Sequence, residues 1–233
     1  MKISKIIRKP FNIIGLDIKK FRPEIDYLKF LERYDIKTVF DIGANTGQFA
    51  KEIRKKLPQA KIYSFEPLKD CYQELVRNMS DDKNFKAYNF ALGEKETERE
   101  INRSVSSPSS SLLAMGKLHE EMYPHTKGGT KEEIKVKRLD DVFKISDLEK
   151  EILIKIDVQG YEDKVIKGGT NIISQAKIAL LEVSFFELYK GQALFGDIYN
   201  TMKELGFKYQ GRIHQRINHL TGEILYEDSI FIK

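Results

Sequence analysis

The chain has 233 residues, of which 41% are hydrophobic and 32% charged, with 40 Lys and Arg, 35 Asp and Glu, one Cys and no Trp. This length suits one domain with a sizeable core, and the composition excludes a fibrous, collagenous or wholly disordered chain. No uninterrupted apolar run approaches the roughly 18 residues of a membrane-spanning helix, and the lone Cys71 cannot form an internal disulfide, so the expectation is a soluble cytoplasmic protein in a reducing compartment.

The charge is uneven. Residues 1–22 hold seven Lys and Arg against Asp17 alone, so their net charge is +6 and the remaining 211 residues sum to −1. A near-neutral body argues against a nucleic-acid partner, which needs a basic surface on the folded domain. Asp17, Lys19 and Lys20 interrupt the apolar run of this basic start, which argues against a secretory signal. Ile3, Ile6 and Ile7, then Phe11, Ile14 and Ile18, recur at helical spacing on either side of Pro10. Residues 1–36 therefore read as a basic amphipathic helical extension. It either packs its apolar side on the domain or makes peripheral contact with an anionic membrane at its inner face.

Residues 23–34 continue with Ile25, Leu28 and Leu31 at helical spacing. From residue 37 strands and helices alternate: strand 37–43, helix 46–57, strand 61–66, helix 68–79 and strand 85–92. Residues 104–111 are Ser-rich around Pro108, and 104–130 read as a mobile loop over a site. Strands over 133–139 and 151–158 follow, then a helix over 161–174, a strand over 177–183 and a helix over 196–205. A hairpin of 207–213 with 223–233 ends the chain. The expected fold is α/β: a Rossmann-like, mostly parallel seven-stranded sheet with helices on both faces and an antiparallel C-terminal hairpin, forming one domain over 37–233.

The turn Asp41-Ile42-Gly43-Ala44-Asn45-Thr46-Gly47 lies between a strand and a helix, at the sheet edge where such folds bind ligands. Asn45 replaces the second glycine of the dinucleotide fingerprint, which disfavours an NAD-dependent enzyme. Asp41 suits an ammonium or sulfonium group, and Glu66, at the end of the second strand, suits the two hydroxyls of a ribose. Together they point to S-adenosyl-L-methionine. Farther on, Asp157 and Glu182 end successive strands and, if those strands are neighbours, form a candidate catalytic pair, acting as a base or by holding a divalent cation such as Mg. His119, His125, His214 and His219 are alternative bases. Phe185, Phe186, Tyr189 and Phe195 serve the core or an acceptor pocket, and Cys71 reads as a packing residue.

The ordered set VFDIGANTGQFA (39–50), YSFEP (63–67), NFALG (89–93), SSSLL (109–113), VKRLDDV (136–142), LIKIDVQGYE (153–162), LLEVS (180–184) and DSIFI (228–232) resembles the FkbM-type methyltransferases of the class I S-adenosylmethionine-dependent superfamily. The resemblance covers about residues 37–233 and implies O-methylation of a sugar, glycan or small natural-product hydroxyl. By position, Asp41, Gly43, Asn45 and Gly47 would line the methionine end of the cofactor and Glu66 would bind its ribose, with Ala44, Phe49 and Pro67 also cofactor-binding. Ala91 and Leu92 would lie near the adenine, with Asp157 and Gln159 also at the cofactor. Family members more often carry Glu where this chain has Gln159, and Glu162 belongs to the same acidic segment. A non-catalytic adenosyl-binding or membrane-recruited module of the same fold is the alternative.

Overall fold

A computed structural model describes residues 26–233, so the amphipathic segment over residues 1–22 lies outside the described residues. The chain enters through a 3-10 turn, Lys29–Arg33, whose Leu31 is buried, where the spacing predicts a longer helix. Strand β1 (Thr38–Ile42) leads to helix α1 (Gln48–Lys56), β2 (Lys61–Phe65), α2 (Lys69–Asn78) and β3 (Phe85–Tyr88). After an intervening segment come β7 (Ile152–Ile156), α5 (Glu162–Gly168), α6 (Thr170–Ile173), β8 (Ile178–Ser184), α7 (Phe195–Glu204), β9 (Lys208–Ile217) and β10 (Ile224–Ile232). Seven strands form one sheet in the order β3-β2-β1-β7-β8-β10-β9. The first five run parallel, while β10 pairs antiparallel with both β8 and β9. This is the expected architecture.

Period-two alternation sorts the central strands between two cores. Phe40, Ile42, Ile152, Ile154, Ile156, Ala179, Leu181 and Val183 face α5, α6 and α7. Val39, Leu153, Ile178 and Leu180 join Ala50 and Ile53 of α1 and Leu75 of α2 on the other side. By the same alternation Asp41, Lys155 and Glu182 belong to the α1 and α2 face.

The intervening segment departs from expectation. Residues 85–92 are not one strand: β3 ends at Tyr88, and Ala91–Leu92 form β4, which leaves the main sheet. With β5 (Thr97–Ser104) and β6 (Gly129–Lys137) it makes a second sheet in the order β4-β6-β5. Leu68, Cys71, Ile101, Ile134, Val136 and Tyr161 pack between this sheet and the main domain. Helix 161–174 is likewise split, since Gly169 separates α5 from α6. Between β5 and β6, the presumed loop holds a 3-10 turn at Ser107–Ser109, helix α3 (Lys117–Met122) and another 3-10 turn at Pro124–Thr126. The short helix α4 (Leu139–Val142) leads into β7. Among the described residues no helix is long and apolar enough to cross a membrane.

Leu75 is fully buried, and its Cδ1 lies 2.8 Å from where a Cβ on Gly47 would stand, so it supports the first turn from below. Leu75→Ala is expected to lower the free energy of unfolding by about 2–5 kcal/mol, read from urea denaturation.

Candidate active site

The turn after β1 is shaped by contacts that admit little variation. Gly43 has φ +80, and a Cβ there would lie 1.9 Å from the carbonyl oxygen of Asp157. Gly43 and Ala44 donate to the Phe65 carbonyl at 3.1 and 3.0 Å, while Asp157 N–H donates to the Ile42 carbonyl at 3.1 Å. These bonds fix the ends of β1, β2 and β7 together. Asn45 sits at φ +47, a region Asn tolerates better than most residues. Its side chain accepts from Thr46 N–H at 2.9 Å and donates to Ser107 Oγ at 3.1 Å.

Glu66 is buried and accepts from two backbone donors, Asn45 N–H and Leu68 N–H, both at 2.8 Å. Burial outweighs those donors and pushes its carboxyl up to about 7. Glu162 plays the same part for the turn after β7. It accepts from Val158 N–H at 2.9 Å and Gly160 N–H at 3.2 Å, and burial raises it to about 7 as well. Glu162 therefore shapes the loop that carries Asp157 and Gln159.

Lys155 joins the two turns. In register beside Asp41 across β1 and β7, its Nζ lies 3.7 Å from Asp41 Oδ1 and 3.3 Å from Asp157 Oδ2, and donates to the Gly43 carbonyl at 3.1 Å. Asp41 is completely buried. Its Oδ2 accepts from Ser64 Oγ at 3.1 Å, while Oδ1 has no hydrogen-bond partner. Burial raises its pKa, and the Lys155 charge opposes the rise.

A cavity opens at these strand ends. Of the residues singled out from the sequence, Gly43, Asn45, Glu66, Pro67, Ala91, Leu92, Asp157 and Gln159 line it. Asp41, Ala44, Gly47, Phe49 and Glu182 are not in its lining. Asp41 stands against Lys155, and the Phe49 ring centre lies 5.9 Å from Lys155 Nζ. Gln159 Nε2 is 2.9 Å from Asp157 Oδ1 and 2.8 Å from Glu182 Oε1, which brings the expected carboxylate pair together through an amide. The remaining wall is apolar or hydroxylic, with Leu68, Ile101, Pro108 and Leu112 beside Ser107 and Ser111.

His119 is buried on α3, and its burial lowers its pKa. His125 and His219 are exposed, and His214 pairs with Asp228 at 3.4 Å on the hairpin. Phe185 and Phe195 stack on each other at 5.0 Å, and Phe195 packs against the core, whereas Tyr189 is buried beside Gln159. Cys71 is buried, which pushes its thiol up to about 11 and leaves it inert. Among the described residues no three His, Cys, Asp or Glu side chains gather as a metal-binding set.

The Ser-rich stretch lies over the cavity, as expected of a loop over a site, whereas sequence reasoning missed Lys155 and Ile101. The spacing of Lys155 two residues before Asp157, on the same strand face, was the available signal for the first.

The Methyltransferase FkbM domain matches residues 41–209, most of the chain, and the chain belongs to that family. Methyltransferase sdnD of Sordaria araneosa is 31% identical over 153 residues, which cover 56% of this chain and 59% of sdnD. The 2-O-methyltransferase NoeI of Sinorhizobium fredii is 27% identical over 171 residues, covering 71% of this chain and 70% of NoeI. Hexuronic acid methyltransferase AglP of Haloferax volcanii is 25% identical over 170 residues, covering 71% of this chain and 64% of AglP. The match thus spans about three fifths to seven tenths of these relatives. The crystal structure of Methyltransferase FkbM from Methylobacillus flagellatus KT shares the fold, with a TM-score of 0.51 at 15% identity over 85% of this chain and 44% of that one.

The elevated Glu66 carboxyl has a consequence for stability. A group that binds its proton more tightly when folded contributes stability below its unfolded pKa, and that contribution is lost as pH rises through the folded value. The melting temperature is therefore expected to fall between about pH 4.5 and 7. In Glu66→Gln this part of the slope disappears, although the variant is less stable throughout because its amide turns an N–H toward a backbone N–H.

Proposed function

We propose that this chain transfers a methyl group from S-adenosyl-L-methionine to a hydroxyl oxygen of a sugar, as part of a glycan or free. The observation that carries this reading is the cavity itself, with Asp157 and Glu66 among its polar groups and Leu68, Ile101, Pro108 and Leu112 among its apolar ones. That polarity matches a ligand with a charged amino-acid part, a ribose and a purine. The similarity to NoeI, a 2-O-methyltransferase, and to AglP, a hexuronic acid methyltransferase, supports oxygen as the acceptor atom and a sugar as its carrier.

When bound, the cofactor would supply a methyl carbon on a sulfonium, whose thioether sulfur is the leaving group as the acceptor oxygen takes the methyl in line. Glu66 has lone pairs left after its two backbone donors and takes the ribose hydroxyls. Ile101, Leu112 and Pro108 cover the purine. Lys155 keeps Asp157 oriented toward the reacting end, and Asp41 acts behind it by holding Lys155. Asp157 accepts the proton of the acceptor hydroxyl, which is a weak nucleophile near neutral pH. The walls around it exclude water and hold the two reactants in line.

A divalent cation between Asp157 and Glu182 does not fit the donors that surround them. Asp157 Oδ1 and Glu182 Oε1 face the N–H groups of one amide, and Asp157 Oδ2 faces an ammonium. No step is therefore routed through a metal.

Calorimetric titration with S-adenosylhomocysteine, beside NAD, tests the reading. The thioether is expected to bind and NAD not to bind, with binding lost in Glu66→Ala and Asp41→Ala. Asp157→Asn is expected to keep S-adenosylhomocysteine affinity but to lose about 10²–10⁴-fold in methyl transfer to a sugar acceptor. Preference for NAD, or no binding at all, sinks the proposal.

The excess of six positive charges in residues 1–22 supports a peripheral contact with anionic lipid. Full-length protein is expected to sediment with phosphatidylserine vesicles at low salt, and a chain lacking residues 1–22 is expected to stay in solution. Indifference of the full-length chain to those vesicles ends that idea.

A further inference from the structure

Gln159 stands in the turn after β7 at φ +56. Its two amide hydrogens serve two acceptors, Asp157 Oδ1 at 2.9 Å and Glu182 Oε1 at 2.8 Å. Its amide oxygen accepts from the Tyr189 hydroxyl at 2.7 Å. With that proton committed to Gln159, the Tyr189 oxygen is free to accept from His119 Nε2, 3.2 Å away. An amide carries donors at one end and an acceptor at the other. Tyr189 thus decides which end faces the carboxylates, because a flipped amide would set an oxygen between them. His119 belongs to α3, and Ser111 Oγ donates to the Gln159 backbone carbonyl at 2.6 Å. Both contacts come from the segment between β5 and β6 that covers the cavity.

We propose that Gln159 is a positioning residue, oriented by Tyr189 and His119, that holds Asp157 and Glu182 in one geometry and makes that geometry depend on the docked 104–130 segment. The role in catalysis rests on the reading of Asp157 as the group at the reacting end. The arrangement of the carboxylates can be tested without turnover.

Glu182 is the natural reporter. Asp157 at the end of β7, Glu162 of α5 and Asp228 of β10 surround it, with Lys155 the opposing charge and the hydroxyls of Tyr123, Tyr189 and Tyr226 nearby. Burial and the three carboxylates raise its pKa well above the ordinary range. The Gln159 donor works against that rise, so losing or flipping it should raise the titration further.

The experiment is carbon-13 NMR titration of the glutamate side-chain carboxyls in the full chain, with the Glu182 signal assigned by Glu182→Gln. Tyr189→Phe keeps the ring and removes the hydroxyl, and Tyr189 does not line the cavity. The Glu182 midpoint is expected to move to higher pH in Tyr189→Phe, while affinity for S-adenosylhomocysteine stays at the wild-type value. Gln159→Glu, which replaces the donating amide end with a carboxylate oxygen, is expected to move the midpoint the same way. A midpoint unchanged in both variants overturns the proposal. So does a Tyr189→Phe chain whose melting temperature and S-adenosylhomocysteine affinity fall together, which marks a merely structural tyrosine. Failure of the wild-type chain to bind S-adenosylhomocysteine would instead overturn the proposed function, and is read by calorimetry rather than by the titration.

Discussion

One ammonium in a nearly closed space holds the ligand-facing edge of the sheet together. Lys155 meets the carboxylates of Asp41 and Asp157 and the carbonyl of Gly43. A fully buried carboxylate such as Asp41 is unfavourable without an opposite charge, and breaking a buried pair costs about 3–5 kcal/mol. The parallel register of β1 and β7 puts Asp41 and Lys155 side by side, so their attraction and the strand pairing support each other. The shape of the glycine turn comes from Phe65 and Asp157 backbone contacts, from the Asn45 and Glu66 side chains and from the lysine beside it.

The upper half of the cavity has a different origin. Its wall comes from the small sheet β4-β6-β5 and the serine turn, not from the main sheet. The two parts interlock at glycines: a Cβ on Gly168, at the end of α5, would lie 1.8 Å from the Gly93 carbonyl. Tyr161 also bridges them, since its hydroxyl accepts from Arg99 of β5 at 2.9 Å while its ring belongs to the core between the sheets. Electrostatic groups thus sit on one wall and apolar cover on the other.

Much of this was legible in the sequence because it depends on short-range pattern. The run TVFDI followed by Gly43, Asn45 and Gly47 reads as strand and turn, and Glu66-Pro67 marks the end of the next strand. What escaped depends on partners distant in sequence. TEREINRS over 97–104 buries only Ile101 and Ser104, so its alternation is too weak to announce a strand before β6 is known to pair with it. Residues 85–92 look continuous, but Asn89 donates to the carbonyls of Glu66 and Pro67, and the chain turns there toward a second sheet. Gly169 allows the break in 161–174, where Leu139 and Ile173 crowd close. Likewise the i, i+2 spacing of Lys155 and Asp157 hints at one shared strand face, but the contact with Asp41 comes only from the register of β1 with β7.

Beyond its bonds to β5, the serine turn is tied to residues that have another duty. Asn45 reaches Ser107 from the glycine turn, and Ser111 reaches the backbone of Gln159. Opening the cavity to exchange its contents therefore disturbs the same residues that order the carboxylate end. By linkage, any molecule that favours the closed turn strengthens the hold on a second molecule that also needs it closed, and by the same factor in both directions. The two ligands of a two-substrate reaction would then bind this chain cooperatively without touching each other, and the departure of either would loosen the other.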